Sequence, residues 1–160
     1  RKQAESSVIT SFYLSPVDGG PVVAHQPGQY IGLRLLLDGQ EQRRNYSLSS
    51  TANGSELRIS VKREPGGLVS QHLHEQVAPG DVLQLFPPAG NFVLRDGDQP
   101  PVLISGGAGI NPTQATLQAP LATESAVHFT YRPPDPASPP LRAPVVARAA
   151  RPPPPQPACC

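Results

Sequence analysis

The sequence predicts a β plus α/β protein, in which a six-stranded antiparallel barrel with one helix precedes a truncated α/β unit and a disordered proline-rich tail. Through residues 1–99, short segments of alternating polarity are separated by Gly, Pro and Asp. Residues 100–131 contain two apolar runs around a glycine-rich turn. Residues 132–160 hold half of the chain's 22 prolines, which indicates a disordered segment or a translated wrong reading frame. We therefore expect three domains with these boundaries.

The barrel is predicted from six short strands and the turns between them. The second strand, for example, begins after Pro27-Gly28 and ends at Asp38-Gly39. A helix is predicted in GGLVSQHLHEQV (66–77), where apolar side chains recur at helical spacing and Ser70 stands early enough to help cap the first turn. Many short antiparallel strands with one helix favour a closed barrel over an open sheet. The predicted strands are residues 6–16, 29–37, 45–50, 56–64, 81–86 and 91–95.

After residue 100 the pattern changes to that of a Rossmann-like unit. PVLISGG (101–107) is typical of a buried parallel strand that ends in glycines, and SAVHFTYR (125–132) indicates a second such strand. Between them, AGINPTQATLQAPL (108–121) predicts a helix that begins near Pro112 and ends at Pro120. The crossover should be right-handed. One such unit cannot cover its own sheet, so we expect this domain to be incomplete.

Composition and charge exclude several classes of partner. Thirteen Lys and Arg against 12 Asp and Glu give a net charge of +1, which favours neither nucleic acid nor a membrane surface. The sequence contains no apolar run of about 18 residues and no signal-peptide pattern, so a cytoplasmic location is expected. Cys159 and Cys160 fit neither a metal site nor a disulfide framework. Because residue 1 is not Met, we expect the chain to be a piece of a longer protein.

The stretch RRNYSLSS (43–50) carries many hydrogen-bond donors for a short strand. On a strand, Arg44 and Tyr46 point to one side, and Asn45 and Ser47 point to the other. Arg44 presents a planar fork of donors suited to phosphate oxygens, and Tyr46 offers a flat face to a planar ring. Ser47 can donate to a ring nitrogen or carbonyl. The alternative interpretation is an ordinary barrel strand with a surface arginine and a core tyrosine.

Two glycine-rich turns indicate phosphate-binding sites. REPGGLVSQHL (63–73) places Gly66-Gly67 before the predicted helix, whose unpaired N–H groups and dipole favour a pyrophosphate. A plain strand-to-helix turn with a capping serine is the alternative there. LISGGAGINP (103–112) repeats the arrangement, with glycines that let the backbone approach a second phosphate-bearing ligand. This second turn matches neither G-x-G-x-x-G nor the P-loop.

The segments PGQYIGL, RNYSLSS, ISVKREPGGLVSQHLH, GDVLQLFPPAGNF and PVLISGGAGINP, in this order, closely resemble the ferredoxin-reductase-type flavoproteins. Within that family the chain is most similar to the reductase part of the flavohaemoglobins, the bacterial and fungal nitric oxide dioxygenases, over roughly residues 1–131. The resemblance implies a six-stranded barrel that binds FAD, followed by an NAD(P)-binding α/β domain. In the whole protein an N-terminal globin carries haem. Electrons there pass from NAD(P)H through FAD to haem, where O₂ and nitric oxide become nitrate.

The resemblance implies cofactor-binding residues, but no catalytic residue and no metal ligand. It implies that Arg44 holds the FAD pyrophosphate, that Tyr46 packs on the isoalloxazine and that Ser47 reaches its polar edge. Asn45 occupies the variable position of that motif, and Tyr30 matches a further FAD contact. The remaining matches are Gly67, Leu68, Val69 and Ser70 for the segment that caps the pyrophosphate, and Gly106, Gly107, Ala108, Gly109, Ile110 and Asn111 for the nicotinamide-nucleotide turn. Ala108 and Asn111 differ from the usual GGVGITP, and neither difference excludes binding.

Departures from that family leave three functional hypotheses. The chain lacks a globin, the later strands of the NAD domain and the C-terminal aromatic segment that covers the flavin. His25, His72, His74 and His128 are expected to be structural or solvated. The first hypothesis is a reductase segment that uses FAD and NAD(P)H and delivers electrons to a haem globin domain or another acceptor. The others are a stand-alone ferredoxin-reductase-like flavin reductase and a non-catalytic FAD-binding fragment.

Overall fold

The structure is a computed structural model that describes residues 1–50 and 55–93, together with the backbone of residues 102–106 and 128–132. These residues form eight strands and one helix. The first six strands pair antiparallel, and the last two pair in parallel. In chain order the elements are β1 (Lys2–Ala4), β2 (Ile9–Leu14), β3 (Tyr30–Leu37), β4 (Gln40–Ser47), β5 (Leu57–Lys62), α1 (Leu68–Glu75), β6 (Gln84–Leu85), β7 (Val102–Gly106) and β8 (His128–Arg132).

Two three-stranded antiparallel sheets are built from β1 to β6. One sheet has the order β1-β2-β5 and the other has the order β4-β3-β6. Just after β4 ends, an isolated bridge between Leu48 and Ile59 connects the two sheets. A second bridge, between Tyr30 and Ala89, extends the sheet of β3 beyond β6. The antiparallel strands and the one helix confirm the first part of the predicted fold, whereas closure of the sheets into a barrel stays a prediction.

The turn between β3 and β4 follows directly from Asp38-Gly39. Both residues have positive φ, 51° and 76°, as a two-residue type I′ turn requires. Hairpin pairing therefore continues up to the turn, where Leu37 lies opposite Gln40. As a result β4 begins at Gln40, earlier than the predicted start at Asn45.

Hydrophobic side chains from both sheets and from α1 form one core. Ile31, Leu48, Ile59 and Leu73 are completely buried. Full burial of one such side chain contributes roughly 1.5–3 kcal/mol, so these contacts hold the helix against the strands. The other buried hydrophobic residues of this cluster are Phe12, Leu33, Leu57, Val61, Val69 and Val77.

Three elements differ from the prediction. β1 is absent from the predicted strands, because its three residues carry no alternating pattern and it exists only through pairing with β2. The strand predicted at 81–86 shrinks to Gln84–Leu85, because only these two residues pair with β3 and the N–H of Asp81 bonds instead to the carbonyl of Ala78. Residues 91–93, the start of the sixth predicted strand, form no strand, and residues 94–95 lie outside the described residues.

The last two strands pair in parallel, with Val102 opposite His128, as the predicted strand–helix–strand unit requires. The helix predicted within 108–121 and the tail at 132–160 lie outside the described residues, apart from Arg132 at the end of β8. The incomplete Rossmann-like domain and the three domain boundaries therefore stay predictions. In the part of the chain that the structure describes, no helix has the length and apolarity to span a bilayer.

Candidate functional site

A pocket of about 360 Å³ opens between β4, β5 and the first turn of α1. The Leu48–Ile59 bridge joins β5 to the residue that follows β4. Past this bridge β4 pairs with β3, and β5 pairs with β2. The pocket lies between β4 and β5. The lining residues are Arg44, Asn45, Tyr46 and Ser47 of β4, Ser60 and Lys62 of β5, and Glu64, Gly67, Leu68, Val69 and Ser70 at the start of the helix.

The structure brings two of the sequence-predicted groups together in this pocket. All four predicted residues of β4 and all four of the helix start line it. Tyr30 is not among the lining residues; it lies opposite Ser47 in the β3–β4 register, and its ring packs close to the Cα of Gly90. Gly106 ends β7, and the rest of the predicted nicotinamide turn, Gly107 to Asn111, lies outside the described residues.

Strand β4 presents its residues to two faces, as the sequence predicts. Arg44 and Tyr46 lie opposite the buried Leu33 and Ile31. Burial raises the pKa of the Tyr46 phenol, and the nearby charge of Arg44 opposes that rise. The guanidinium of Arg44 is exposed, and its Nη1 donates to the carbonyl oxygen of Arg43 at 2.7 Å. Arg44 thus stands at the pocket with its charge unpaired by any carboxylate in the described ion pairs.

The turn before α1 is built around Gly67 and Ser70. The Ser70 hydroxyl accepts the N–H of Glu64 at 3.1 Å and donates to the carbonyl of Gly67 at 3.0 Å. A Cβ at position 67 would stand only 2.5 Å from this hydroxyl oxygen. The expected capping role of Ser70 is wrong in detail: no side chain caps the helix N-terminus, and Ser70 instead binds the turn before it. The first-turn N–H groups of α1 are therefore not occupied by a side-chain cap.

Ser60, Lys62 and Glu64 line the pocket but are not among the predicted site residues. Lys62 Nζ and Glu64 Oε1 form an ion pair of 2.8 Å at its edge. The signal was present in the alternation of ELRISVKRE (56–64), whose polar positions include Ser60 and Lys62. Such an alternation is also what a solvent-facing strand shows, so the sequence could not distinguish a pocket wall from a solvated face.

His25 and His74 have structural contacts. His74 Nε2 lies 3.0 Å from the carbonyl oxygen of Val61, and its ring meets Phe12 edge-on at 6.4 Å between centroids. His25 is buried, and its Nε2 donates to the carbonyl of Ser50 at 3.3 Å. Within residues 1–50 and 55–93, no three His, Cys, Asp or Glu side chains are grouped as a metal site would need.

Comparison with known proteins identifies the family to which this fold belongs. The model of the oxidoreductase FAD-binding domain family matches residues 5–94. A flavohemoprotein of Pseudomonas aeruginosa is 64% identical over 131 residues, which cover 82% of this chain and 33% of that protein. A flavohemoprotein of Pseudomonas putida is 62% identical over the same coverage.

A solved structure agrees with these sequence relatives. The flavohem-like FAD/NAD-binding domain of nitric oxide dioxygenase from Vibrio cholerae superposes with a TM-score of 0.76 at 45% identity, over 83% of this chain and 60% of that one. The chain spans about a third of the length of the curated relatives it matches. From its sequence and its fold, the chain belongs to the family of oxidoreductase FAD-binding domains.

Proposed function

We propose that this chain is the FAD-binding reductase segment of a flavohaemoglobin, and that it passes electrons from NAD(P)H through FAD to a haem globin that oxidises nitric oxide to nitrate. The observation that supports the proposal most strongly is the pocket itself. It brings a cationic fork, a half-buried aromatic ring, a hydroxyl and a helix N-terminus to one cavity, from residues separated in sequence. The cavity volume lies within the range of about 300–1,000 Å³ that is usual for small-molecule sites.

The lining residues fit a flavin nucleotide. Arg44 supplies donors and positive charge for the diphosphate, and the first-turn N–H groups of α1 supply more. Gly67 lets the turn close tightly around the Ser70 hydroxyl, with which a Cβ at this position would collide. Tyr46 gives the isoalloxazine a flat apolar surface, and Ser47 gives its polar edge a hydroxyl. When bound, FAD supplies hydride acceptance and one-electron release, which no side chain of this pocket performs.

The electron donor and acceptor extend the same proposal. Gly106 to Asn111 would form the backbone turn that admits the nicotinamide nucleotide, and Tyr30 would lie beside the flavin through its register with Ser47. The electron acceptor would be the haem globin that the flavohemoprotein relatives are named for. A cytoplasmic location is proposed with it, because that compartment holds NAD(P)H.

Flavin binding tests the proposal. The purified chain should quench the fluorescence of added FAD, and Arg44→Ala should weaken FAD binding about tenfold or more, as expected for a hydrogen-bonded charge on phosphate. Arg43→Ala is the matched control, because Arg43 is the adjacent arginine but pairs with Glu41 at 2.5 Å and does not line the pocket. A folded chain that binds no FAD, or equal losses in the two variants, would refute the proposed site and favour the non-catalytic interpretation.

A further inference from the structure

Three serine hydroxyls and one guanidinium form a connected hydrogen-bond chain, one member of which lines the pocket. Arg58 donates to the Ser11 hydroxyl twice, from Nε at 3.2 Å and from Nη2 at 3.1 Å. The Ser11 hydroxyl lies 3.0 Å from that of Ser60, which lies 3.1 Å from that of Ser49. Ser11 and Ser49 are fully buried, whereas Ser60 lines the pocket. Ser11 therefore connects the guanidinium of Arg58 to Ser60 in the pocket wall.

The hydrogen-bonding capacity of each group fixes the direction of this chain. A guanidinium can only donate, and a serine hydroxyl has two lone pairs and one proton. Because Arg58 occupies both lone pairs of Ser11, the Ser11 proton must be donated to Ser60. Ser49 donates to the carbonyl of Arg58 at 3.2 Å, so Ser60 in turn donates to Ser49. The series thus runs from the Arg58 guanidinium through Ser11 and Ser60 to Ser49 and returns to the carbonyl of Arg58, and acceptance from the Arg58-bound Ser11 strengthens Ser60 as a donor.

The pairing of the strands places Ser60 at the end of the pocket next to the Leu48–Ile59 bridge. Ile59 bridges Leu48, so the next residues along the two segments, Ser60 and Ser47, flank the point where they separate. Lys62 lies further along β5, toward the end that also holds the start of α1, and it is paired there with Glu64. The end at the bridge therefore offers hydroxyls, while the other end offers the first-turn N–H groups of α1 and the guanidinium of Arg44, which has no carboxylate partner among the described ion pairs. A ligand with a polar neutral part and an anionic part would lie along the pocket in one direction.

We propose that Ser60 is a cofactor-contacting residue that donates its proton to an oxygen or nitrogen of the flavin ring or ribityl chain, and that Ser11 and Arg58 are positioning residues that orient this donor. When the flavin binds, the Ser60 proton turns from Ser49 to the ligand, and Ser11 continues to donate to Ser60. The inference rests on the proposed function, because it assigns the neutral half of the same ligand. It adds a contact that neither the motif RNYSLSS nor the glycine turn contains.

The test compares FAD with riboflavin, which has the ring and ribityl chain but no phosphate. We expect Ser60→Ala to weaken the binding of both ligands by the same factor, about three- to tenfold, which corresponds to one neutral hydrogen bond. Ser11→Ala should weaken both about two- to fivefold in the wild-type background and have no further effect in the Ser60→Ala background. Ser49→Ala is the matched control, because Ser49 is as buried as Ser11 and also contacts Ser60. The Ser49 hydroxyl does not orient Ser60 toward the ligand, however, and only competes with the ligand for the Ser60 proton. Ser49→Ala should leave both affinities unchanged or slightly tighter.

Each outcome decides between named alternatives. If Ser60→Ala weakens FAD but not riboflavin, the hydroxyl serves the diphosphate or the adenosine of FAD and the proposal is overturned. If the losses from Ser11→Ala and Ser60→Ala simply multiply, Ser11 acts on the fold and not through Ser60. Should Ser11→Ala fail to fold by circular dichroism, the comparison of Ser60→Ala with Ser49→Ala still decides. A wild-type chain that binds neither ligand refutes the proposed function, whereas wild-type binding that Ser60→Ala leaves intact refutes this inference alone.

Discussion

Replacement of Gly67 by alanine tests whether the turn at the start of α1 depends on its close contact with Ser70. The new Cβ would stand 2.5 Å from Ser70 Oγ and 3.0 Å from the Cβ of Glu64. Ser70 cannot move aside without losing its bonds to the N–H of Glu64 and the carbonyl of Gly67. The φ of Gly67 is −78°, which alanine adopts readily, so the cost comes from the contact and not from the backbone.

The magnitude follows from the two hydrogen bonds at risk. At about 0.5–1.5 kcal/mol each, their loss lowers the free energy of unfolding by about 1–3 kcal/mol, and in Gly67→Ala the poorer capping by alanine adds about 1 kcal/mol. Ser70→Ala removes the same two bonds without adding any atom, so it should cost about 1–3 kcal/mol. Once the hydroxyl is gone, the added methyl of Gly67→Ala no longer meets it. The double variant should therefore be only about 1 kcal/mol less stable than Ser70→Ala alone, a cost that includes the poorer capping by alanine.

Urea unfolding of the wild type, the two single variants and the double variant measures this coupling. We expect the double variant to be at least 0.5–1 kcal/mol more stable than the sum of the single losses predicts, on the order of the couplings seen for residues in contact. FAD titration of the same four proteins should show the weakest binding for Gly67→Ala, because the displaced Ser70 moves the pocket wall. Single-variant losses that add to within about 0.3 kcal/mol would refute the reasoning, because independent sites behave in that way.

Three further predictions concern backbone conformation, ionisation and the helix end. Gly28→Ala should destabilise the chain far more than Gly19→Ala in urea unfolding. Both glycines have positive φ, but of the two only Gly28 would bring its Cβ against a backbone atom, the carbonyl oxygen of Phe92. Equal losses would contradict the contact. Burial raises the pKa of Tyr46 above its usual value near 10. The free energy of unfolding that this group contributes should therefore be fully present below pH 10 and be lost as the pH rises through the higher folded-state pKa. Tyr46→Phe should remove that part of the loss. Lys2→Met should lower the free energy of unfolding by about 1.5–3 kcal/mol, because the Lys2 ammonium donates to two carbonyl oxygens at the C-terminal end of α1. An unchanged urea midpoint would show that this cation contributes nothing to stability.

Local signals in the sequence were sufficient for the hairpin and for two walls of the pocket. Asp38-Gly39 specifies the turn through its own positive φ angles, so the antiparallel pairing of β3 and β4 follows from neighbours in the chain. The period of two along RRNYSLSS places Arg44 and Tyr46 on one face, and the structure has them there. Gly66-Gly67 marked the start of the helix correctly. Each of these features depends on residues within a few positions of one another.

Other features depend on partners distant in the chain. β1 exists only because Lys2 pairs with Phe12 in β2, and its own three residues carry no strand pattern. Ser70 binds Glu64 instead of capping the helix, because the turn folds the chain back over its hydroxyl. Tyr30 lies against Gly90 and is not among the residues that line the pocket, so its FAD contact stays a prediction.

The sequence by itself therefore determined the antiparallel strands, the helix and the donor-rich character of β4, because side-chain period and turn chemistry are local properties. Only the tertiary structure decided which residues share the pocket. Ser60 and Lys62 belong to it because the Leu48–Ile59 bridge brings β5 beside β4, and the Ser11–Ser60 contact joins strands 49 residues apart. A polar position on a strand has the same sequence signature whether it faces water or a cofactor. The packing of the two sheets around one core decides which of these polar positions face the pocket and which face water.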